Sequence, residues 1–285
     1  MSRIAYVDGV YQPIDLPGIQ VEDRGYQFAD GVYEVCAVHH GQLLDEDAHL
    51  ARLARSLAEL SIPAPMSDGA LKIVLRETIT RNRVSDGIVY MQITRGVARR
   101  EHGYASGLKP VLVVTARATD PNRRAAVLEH GISVVTVPDQ RWARCDIKSI
   151  SLLPNVLARQ EAVEKGVQEA WQVDTEGLVT EGAATNAWIV DANGVLRTRP
   201  ADGGILNGIV RQILMSLIGD MDVSFEERAF SVSEALSARE CFSTASTLAV
   251  FPVVQIDAKK VGDGRPGPIS QAIAARYIQH SLIEN

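Results

Sequence analysis

The sequence predicts an α+β chain of two unequal sheet-and-helix domains, and three observations carry that expectation. At 285 residues, 46% hydrophobic and 22% charged, the chain lies in the range where a single core gives way to two. Period-two and helical patterns alternate along both halves. Residues 118–125, with Thr119-Asp120-Pro121-Asn122 and two arginines, have a linker's composition. The expected division is 1–118, a linker over 119–125, and 126–285.

In the first half, a strand over 4–7 turns at Asp8-Gly9 into Val10-Tyr11. Strands over 32–38 and 42–44 flank His40-Gly41. Leu50, Leu53, Ala54, Leu57 and Leu60 share one helical face and leave Arg52 and Arg55 off it. A second helix over 69–82 turns Leu71, Val74, Leu75 and Ile79 inward. Strands follow over 88–94 and 111–116, the latter apolar enough to be central. Between them, residues 95–107 form a loop rich in Arg, His and Gly that no structural demand explains.

In the second half, a strand over 132–137 precedes a helix over 155–165, with Pro154 near its start and Gly166 past its end. Strands over 170–174 and 187–190 lead to an Asn193-Gly194 turn. Ile209, Val210, Ile213, Leu214 and Leu217 mark a helix that opens after Asn207-Gly208. Ser231 with Glu234 makes a capping box for a short helix. A hydroxyl-rich turn over 243–247, a strand over 249–256 interrupted by Pro252, and a helix from about Ile269 complete the chain.

Composition narrows the function. A net charge of -6 without a basic block argues against nucleic acid and anionic membrane surfaces. Cys36, Cys145 and Cys241 are odd in number and widely spaced, as reduced cytoplasmic thiols would be. No signal-peptide-like segment opens the chain, and aliphatic runs such as 111–114 are too short to span a bilayer. The expectation is a soluble, cytoplasmic protein. Six histidines form no His-Glu-x-x-His, and no Cys-x-x-Cys occurs, so no metal site is expected. The absence of a Gly-x-Ser-x-Gly elbow, a Walker loop and a Gly-x-Gly-x-x-Gly turn weighs against hydrolase, nucleotide-hydrolysing and nicotinamide chemistry.

The residues that carry chemistry lie elsewhere. Lys148 follows Cys145-Asp146-Ile147, and Glu181, thirty-three positions after it, is expected in a turn over Thr180-Glu181-Gly182-Ala183-Ala184-Thr185-Asn186. An isolated lysine is ordinarily a solvated surface residue. Paired with a carboxylate that keeps a pyridine nitrogen protonated, it is what a pyridoxal phosphate enzyme requires. The helix opened by Asn207-Gly208 offers the main-chain N–H groups of Gly208, Ile209 and Val210 to a phosphate. In the unexplained loop, Arg100 and His102 are one residue apart and, with the Tyr33 phenol, could form a fork for an α-carboxylate.

The run from Glu22 to Val35, EDRGYQFADGVYEV, together with Cys145-Asp146-Ile147-Lys148-Ser149 and Thr180-Glu181-Gly182, resembles the D-amino acid (D-alanine) aminotransferases of the fold-type IV pyridoxal phosphate enzymes. The likeness extends from about Tyr6 to Val261. It implies a smaller N-terminal α/β sandwich and a larger C-terminal pseudo-barrel with helices, the latter carrying the cofactor lysine. It makes Lys148 the Schiff-base lysine and Glu181 the partner of the pyridine nitrogen. Arg52, Ile209, Val210 and Ser246 would hold the phosphate, and Arg141, Thr185 and Leu206 would complete the cofactor site. Tyr33, Arg100, His102 and Thr247 would bind substrate, with Arg100 and His102 supplied by the neighbouring subunit of a homodimer. The implied reaction is ping-pong transamination between a D-amino acid and a 2-oxo acid, 2-oxoglutarate or pyruvate. Two features depart from the family: Ala183-Ala184 stand where serines are common, and Ala37 where a lysine often stands. Branched-chain L-amino acid aminotransferases, R-selective amine aminotransferases and 4-amino-4-deoxychorismate lyases share the fold, and the Arg100-x-His102 pair argues against all three. A non-catalytic binding protein or structural dimer is the reading of another class, and intact Lys148 and Glu181 argue against it.

Overall fold

Burial alternates along Val111–Ala118, one side chain in and the next half out, as in a sheet covered on one face. That sheet belongs to the first of two units in the computed structural model, which describes residues 2–16, 18–120 and 122–283. Among them, 2–16, 18–120 and 147–151 form the first unit, and 122–146 with 152–283 form the second.

The first unit contains β1 (Ile4–Val7), β2 (Val10–Pro13), β3 (Gly31–His39), β4 (Gln42–Leu43), β5 (Gly87–Thr94) and β6 (Val111–Ala118). They form an antiparallel sheet in the order β2-β1-β6-β5-β3-β4. Its helices are α1 (Arg24–Phe28), α2 (Glu46–Glu59) and α3 (Asp68–Asn82). Leu50, Leu53 and Leu57 of α2 and Leu71 and Leu75 of α3 pack with Val32, Cys36, Met91, Ile93 and Val114 in one core. Each such buried aliphatic side chain contributes about 1.5–3 kcal/mol.

The helix ends are locally encoded. Ser67 Oγ accepts the Ala70 N–H at the start of α3, and α3 ends where Arg83 turns left-handed. Asp23 caps α1 by accepting from Gly25 and Tyr26, and Ala29 ends it at φ 55°. Five residues are too few for helical periodicity to show, so the sequence reading missed α1.

The second unit runs α4 (Asn122–His130), β7 (Ile132–Pro138), α5 (Leu153–Glu164), β8 (Glu169–Val173), β9 (Val179–Gly182), β10 (Asn186–Val190), β11 (Leu196–Thr198) and α6 (Ile209–Ile218). It continues with β12 (Phe225–Glu227), α7 (Val232–Leu236), β13 (Glu240–Ala245), β14 (Ala249–Ile256), β15 (Lys259–Lys260) and α8 (Pro268–Ile283). Its sheet is ordered β12-β11-β10-β13-β14-β7-β8-β9, with β15 beside β14. Although β9 ends this order, only residues 183–185 separate it from β10, so the sheet must curl, as the pseudo-barrel expectation requires. Trp188 stacks on Phe242 at 5.6 Å between ring centroids. The indole N–H groups of Trp171 and Trp188 donate to Ser243 and Thr244 at 2.9 and 3.0 Å, so both large apolar rings are buried without leaving a donor unpaired.

Four expectations need correction. Residues from Asn122 onward, assigned to the linker, open α4, and Pro121 lies outside the described residues. Residues 147–151, with Lys148, group with the first unit rather than with the C-terminal part. Glu181 lies in the strand β9, not in a turn, because its backbone pairs with β8. Ser243 and Thr244 belong to β13, which shortens the hydroxyl-rich turn to 246–248.

Candidate active site

In the first unit, β3 organises the chemistry by its alternation. Val32, Glu34 and Cys36 point to the core face, while Tyr33, Val35 and Ala37 point to the other. The segment carrying Lys148 runs along β3: Tyr33 donates its N–H to the Lys148 carbonyl, Ile150 donates to Gly31, and Val32 bridges Ser149. Lys148 Nζ lies 4.2 Å from the Tyr33 ring centroid, within cation–π range. Lys148 and Tyr33, predicted separately, are therefore brought together by one pair of backbones.

Arg52 is also placed by β3. Helical spacing put it off the apolar face of α2, yet it is only 8% exposed. Its Nε and Nη2 donate to the two oxygens of Glu34 at 2.7 and 2.8 Å, and His49 Nδ1 reaches the same carboxylate at 2.8 Å. Burial pulls the Glu34 carboxyl upward, but the Arg52 charge and the hydrogen bonds from Arg52 and His49 outweigh it and hold it at about 2. The sequence reading missed Glu34 and His49. The available signal was a glutamate at an inward register position between Val32 and Cys36.

The loop after β5 holds Arg100 and His102. Both are exposed, and both meet Phe28 at the end of α1: Arg100 Cζ is 4.7 Å from its ring centroid, and the His102 ring is 5.5 Å away, centroid to centroid.

In the second unit, Glu181 is buried and multiply held. Arg141 donates Nη1 to Glu181 and Nε and Nη2 to Asp139, while Asn186 Nδ2 donates to Glu181 Oε2 at 3.0 Å. The Leu206 N–H also points at the carboxylate, 3.2 Å from Oε1. Asp139, which the sequence reading missed, also accepts from Thr180 Oγ1 at 2.7 Å. Burial pulls Asp139 upward, but Arg141 and Thr180 hold it below the usual carboxylate range. Burial alone would lower Arg141, but its two carboxylate partners raise it. The result is a fixed row of alternating charge, Asp139, Arg141 and Glu181.

Asn186 links this row to α6. Besides Glu181 it donates to the Leu206 carbonyl at 2.8 Å, and its Oδ1 sits where a Cβ on Gly208 would fall, 2.2 Å away. Gly208 is the N-cap of α6 and no side chain caps that end, so the first-turn amides around Ile209 and Val210 suit an anion. Ser246 is half-buried and Thr247 exposed in the β13–β14 turn. Thr185 is buried with its hydroxyl against Gly182 and Glu169.

The chain is similar to known proteins along most of its length. The family model described as amino-transferase class IV matches residues 31–256. A D-alanine aminotransferase of Bacillus licheniformis is 41% identical over 265 residues, covering 93% of this chain and 92% of that protein. Among solved structures, the branched-chain amino acid aminotransferase of Escherichia coli superposes with a TM-score of 0.91 at 22% identity, covering 99% of this chain and 95% of that one. The T.th. branched-chain amino acid aminotransferase, solved with pyridoxamine 5'-phosphate, gives a TM-score of 0.90 at 20% identity over 98% of this chain and 94% of that one. At such identities the two structures establish the fold alone.

Proposed function

We propose a reaction for this chain from one premise: it belongs to the class IV amino-transferase family. The reaction is ping-pong transfer of an amino group from a D-amino acid, D-alanine first, to a 2-oxo acid such as 2-oxoglutarate or pyruvate. The observation that carries the choice of substrate is the pair Arg100 and His102, gathered on the Phe28 ring in a loop that no packing demand explains. The 41% identity to a D-alanine aminotransferase supports it.

The residues fit pyridoxal phosphate. An uncapped helix start at Gly208, with no room for a Cβ, suits a phosphate, and a buried carboxylate already fixed by three donors suits a protonated ring nitrogen. Bound there, the cofactor supplies an aldehyde to receive the amino group and a ring that draws electrons from the substrate Cα. By the family resemblance, Arg52, the amides of Ile209 and Val210, and Ser246 would hold the phosphate. Lys148 would hold the aldehyde carbon, and its Nζ, when free, would be the base placed for the substrate Cα proton. Glu181 would keep the proton on the ring nitrogen, and Arg141, Asn186 and Leu206 hold Glu181 in place for it. By the same resemblance, Arg141, Thr185 and Leu206 would complete the cofactor site. Tyr33, Arg100, His102 and Thr247 bind the substrate.

The working unit in this reading is a homodimer in which Arg100 and His102 serve the neighbouring subunit. The exposed Leu153, Val156, Leu157 and Val163 on α5 support association with a second copy. A cytoplasmic site of action fits the three buried free cysteines, and no described helix is long and apolar enough to cross a membrane. The deciding experiment supplies D-alanine and L-leucine separately with 2-oxoglutarate to the purified holoenzyme. Faster turnover of D-alanine is expected, and faster turnover of L-leucine would overturn the assignment in favour of a branched-chain enzyme.

A further inference from the structure

Arg100 and His102 lie on an exposed loop, and a fork for a carboxylate needs fixed spacing. The loop's rigidity comes from below. Arg24, the first residue of α1, is only 3% exposed, and its guanidinium is spent on that loop's main chain. Nη1 donates to the Glu101 carbonyl at 2.7 Å and, more weakly, to Gly103 at 3.4 Å, and Nη2 donates to His102 at 3.2 Å. These are the carbonyls of the residues around the two side chains that would bind substrate. Arg24 Nε donates to Asp30 Oδ2 at 2.8 Å, and Arg95 Nε donates to the same oxygen at 2.7 Å. Arg95 in turn ties to the Leu60 and Ser61 carbonyls and stacks on Tyr104, 3.6 Å from its centroid. Burial pulls Asp30 upward, but Arg95 and Arg24 keep it below the usual carboxylate range, so it stays ionised between them. One turn after Arg24, Phe28 receives both its guanidinium and that of Arg100, at 4.9 and 4.7 Å, with the His102 ring at 5.5 Å.

We propose that Arg24 and Phe28 are positioning residues for substrate: Arg24 fixes the backbone of 101–103, and Phe28 sets the separation of Arg100 and His102 for an α-carboxylate. The inference rests on the reading of Arg100 and His102 as the carboxylate fork. It extends that reading to two residues that act through the loop and its side chains. Lysine could keep the charge at position 24 but not three bonds from one planar group, and leucine at 28 keeps apolar volume but gives up the aromatic face.

The test compares Arg24→Lys and Phe28→Leu holoenzymes with the unaltered protein in the first half-reaction, using D-alanine and, separately, 2-aminopropane, in which a methyl replaces the carboxylate. For D-alanine, kcat/KM should fall on the order of 10- to 100-fold, mostly through KM. The rate constant with 2-aminopropane and the affinity for pyridoxal phosphate should stay within about twofold, since neither uses the fork. Half-buried Phe28 makes its variant the safer folder, and Arg99→Ala, at an exposed neighbour, should change nothing. Unchanged D-alanine kinetics, or an equal fall with both donors, would overturn the proposal. Arg100→Ala run in parallel separates the two levels. If it raises KM while the other two do not, positioning alone fails. If it leaves KM untouched, the carboxylate fork fails and positioning with it.

Discussion

Replacing Glu34 with glutamine should expose how much of the first unit's stability rests on one buried charge. Glu34 is 0% exposed and receives Arg52 through two nitrogens and His49 through one. Its carboxyl stands at about 2 against an ordinary 4.5. At ~1.36 kcal/mol per pH unit, that difference favours the folded state by about 3 kcal/mol at neutral pH. Independently, removing one partner of a buried ion pair costs about 3–5 kcal/mol because the other is left uncompensated. Both routes give a loss near 3 kcal/mol for Glu34→Gln. The sign follows from the lowered value: the contribution is complete above about 4.5 and disappears as pH falls toward about 2. The gap between the two proteins should therefore shrink by about half by pH 3. Urea unfolding of the cofactor-free proteins, followed by far-UV circular dichroism, measures it. Tryptophan fluorescence would report the wrong part, because Trp142, Trp171 and Trp188 all lie in the second unit. A neutral-pH gap under about 0.5 kcal/mol, or one that acid leaves unchanged, would refute the reasoning.

Lys148→Ala should lower D-alanine turnover by at least about 10²–10⁴-fold, the range a positioned acid–base group supplies, while leaving the circular dichroism spectrum intact; steady-state assay of the purified variant decides, and full-rate turnover would remove Lys148 from its role. Gly208→Ala places a methyl 2.2 Å from Asn186 Oδ1 and should displace that side chain from Glu181. Overpacking of this kind costs ~1–3 kcal/mol, so the Kd for pyridoxal phosphate, measured by fluorescence titration, should rise about tenfold; an unchanged Kd would mean that the helix start does not cradle the phosphate.

Much of this site was legible where one local rule governs. The uncapped start of α6 follows from Asn207-Gly208, and Lys148 and Glu181 stood out through their neighbours. What escaped depends on pairing between distant segments. Glu34 looks like a strand residue until α2 brings Arg52 and His49 to it, and Asp139 is unremarkable until β9 sets Thr180 and Glu181 beside Arg141. Helical periodicity even misled at Arg52, because spacing reports apolar faces and not which cation finds a buried acid. The loop over 95–107 is legible for the opposite reason, an Arg-, His- and Gly-rich composition that no periodic pattern explains. The part of the structure that braces it, α1, is too short for periodicity to register.

These pairings separate two ways of using an arginine. Arg52, Arg24 and Arg141 each keep an acid against the guanidinium, Glu34, Asp30 and Asp139 respectively. Replacing both members of such a pair by apolar groups can be neutral for stability, whereas removing one member is costly; the two-point contacts of Arg52 with Glu34 and Arg141 with Asp139 also fix the plane of the guanidinium. They serve as fixtures, orienting themselves and whatever else they hold. Arg100, among the described residues, makes no ion pair and rests on the Phe28 ring. An aromatic face orients a cation without neutralising it. Arg100 therefore keeps its charge undivided, which is what the proposed carboxylate fork requires of it.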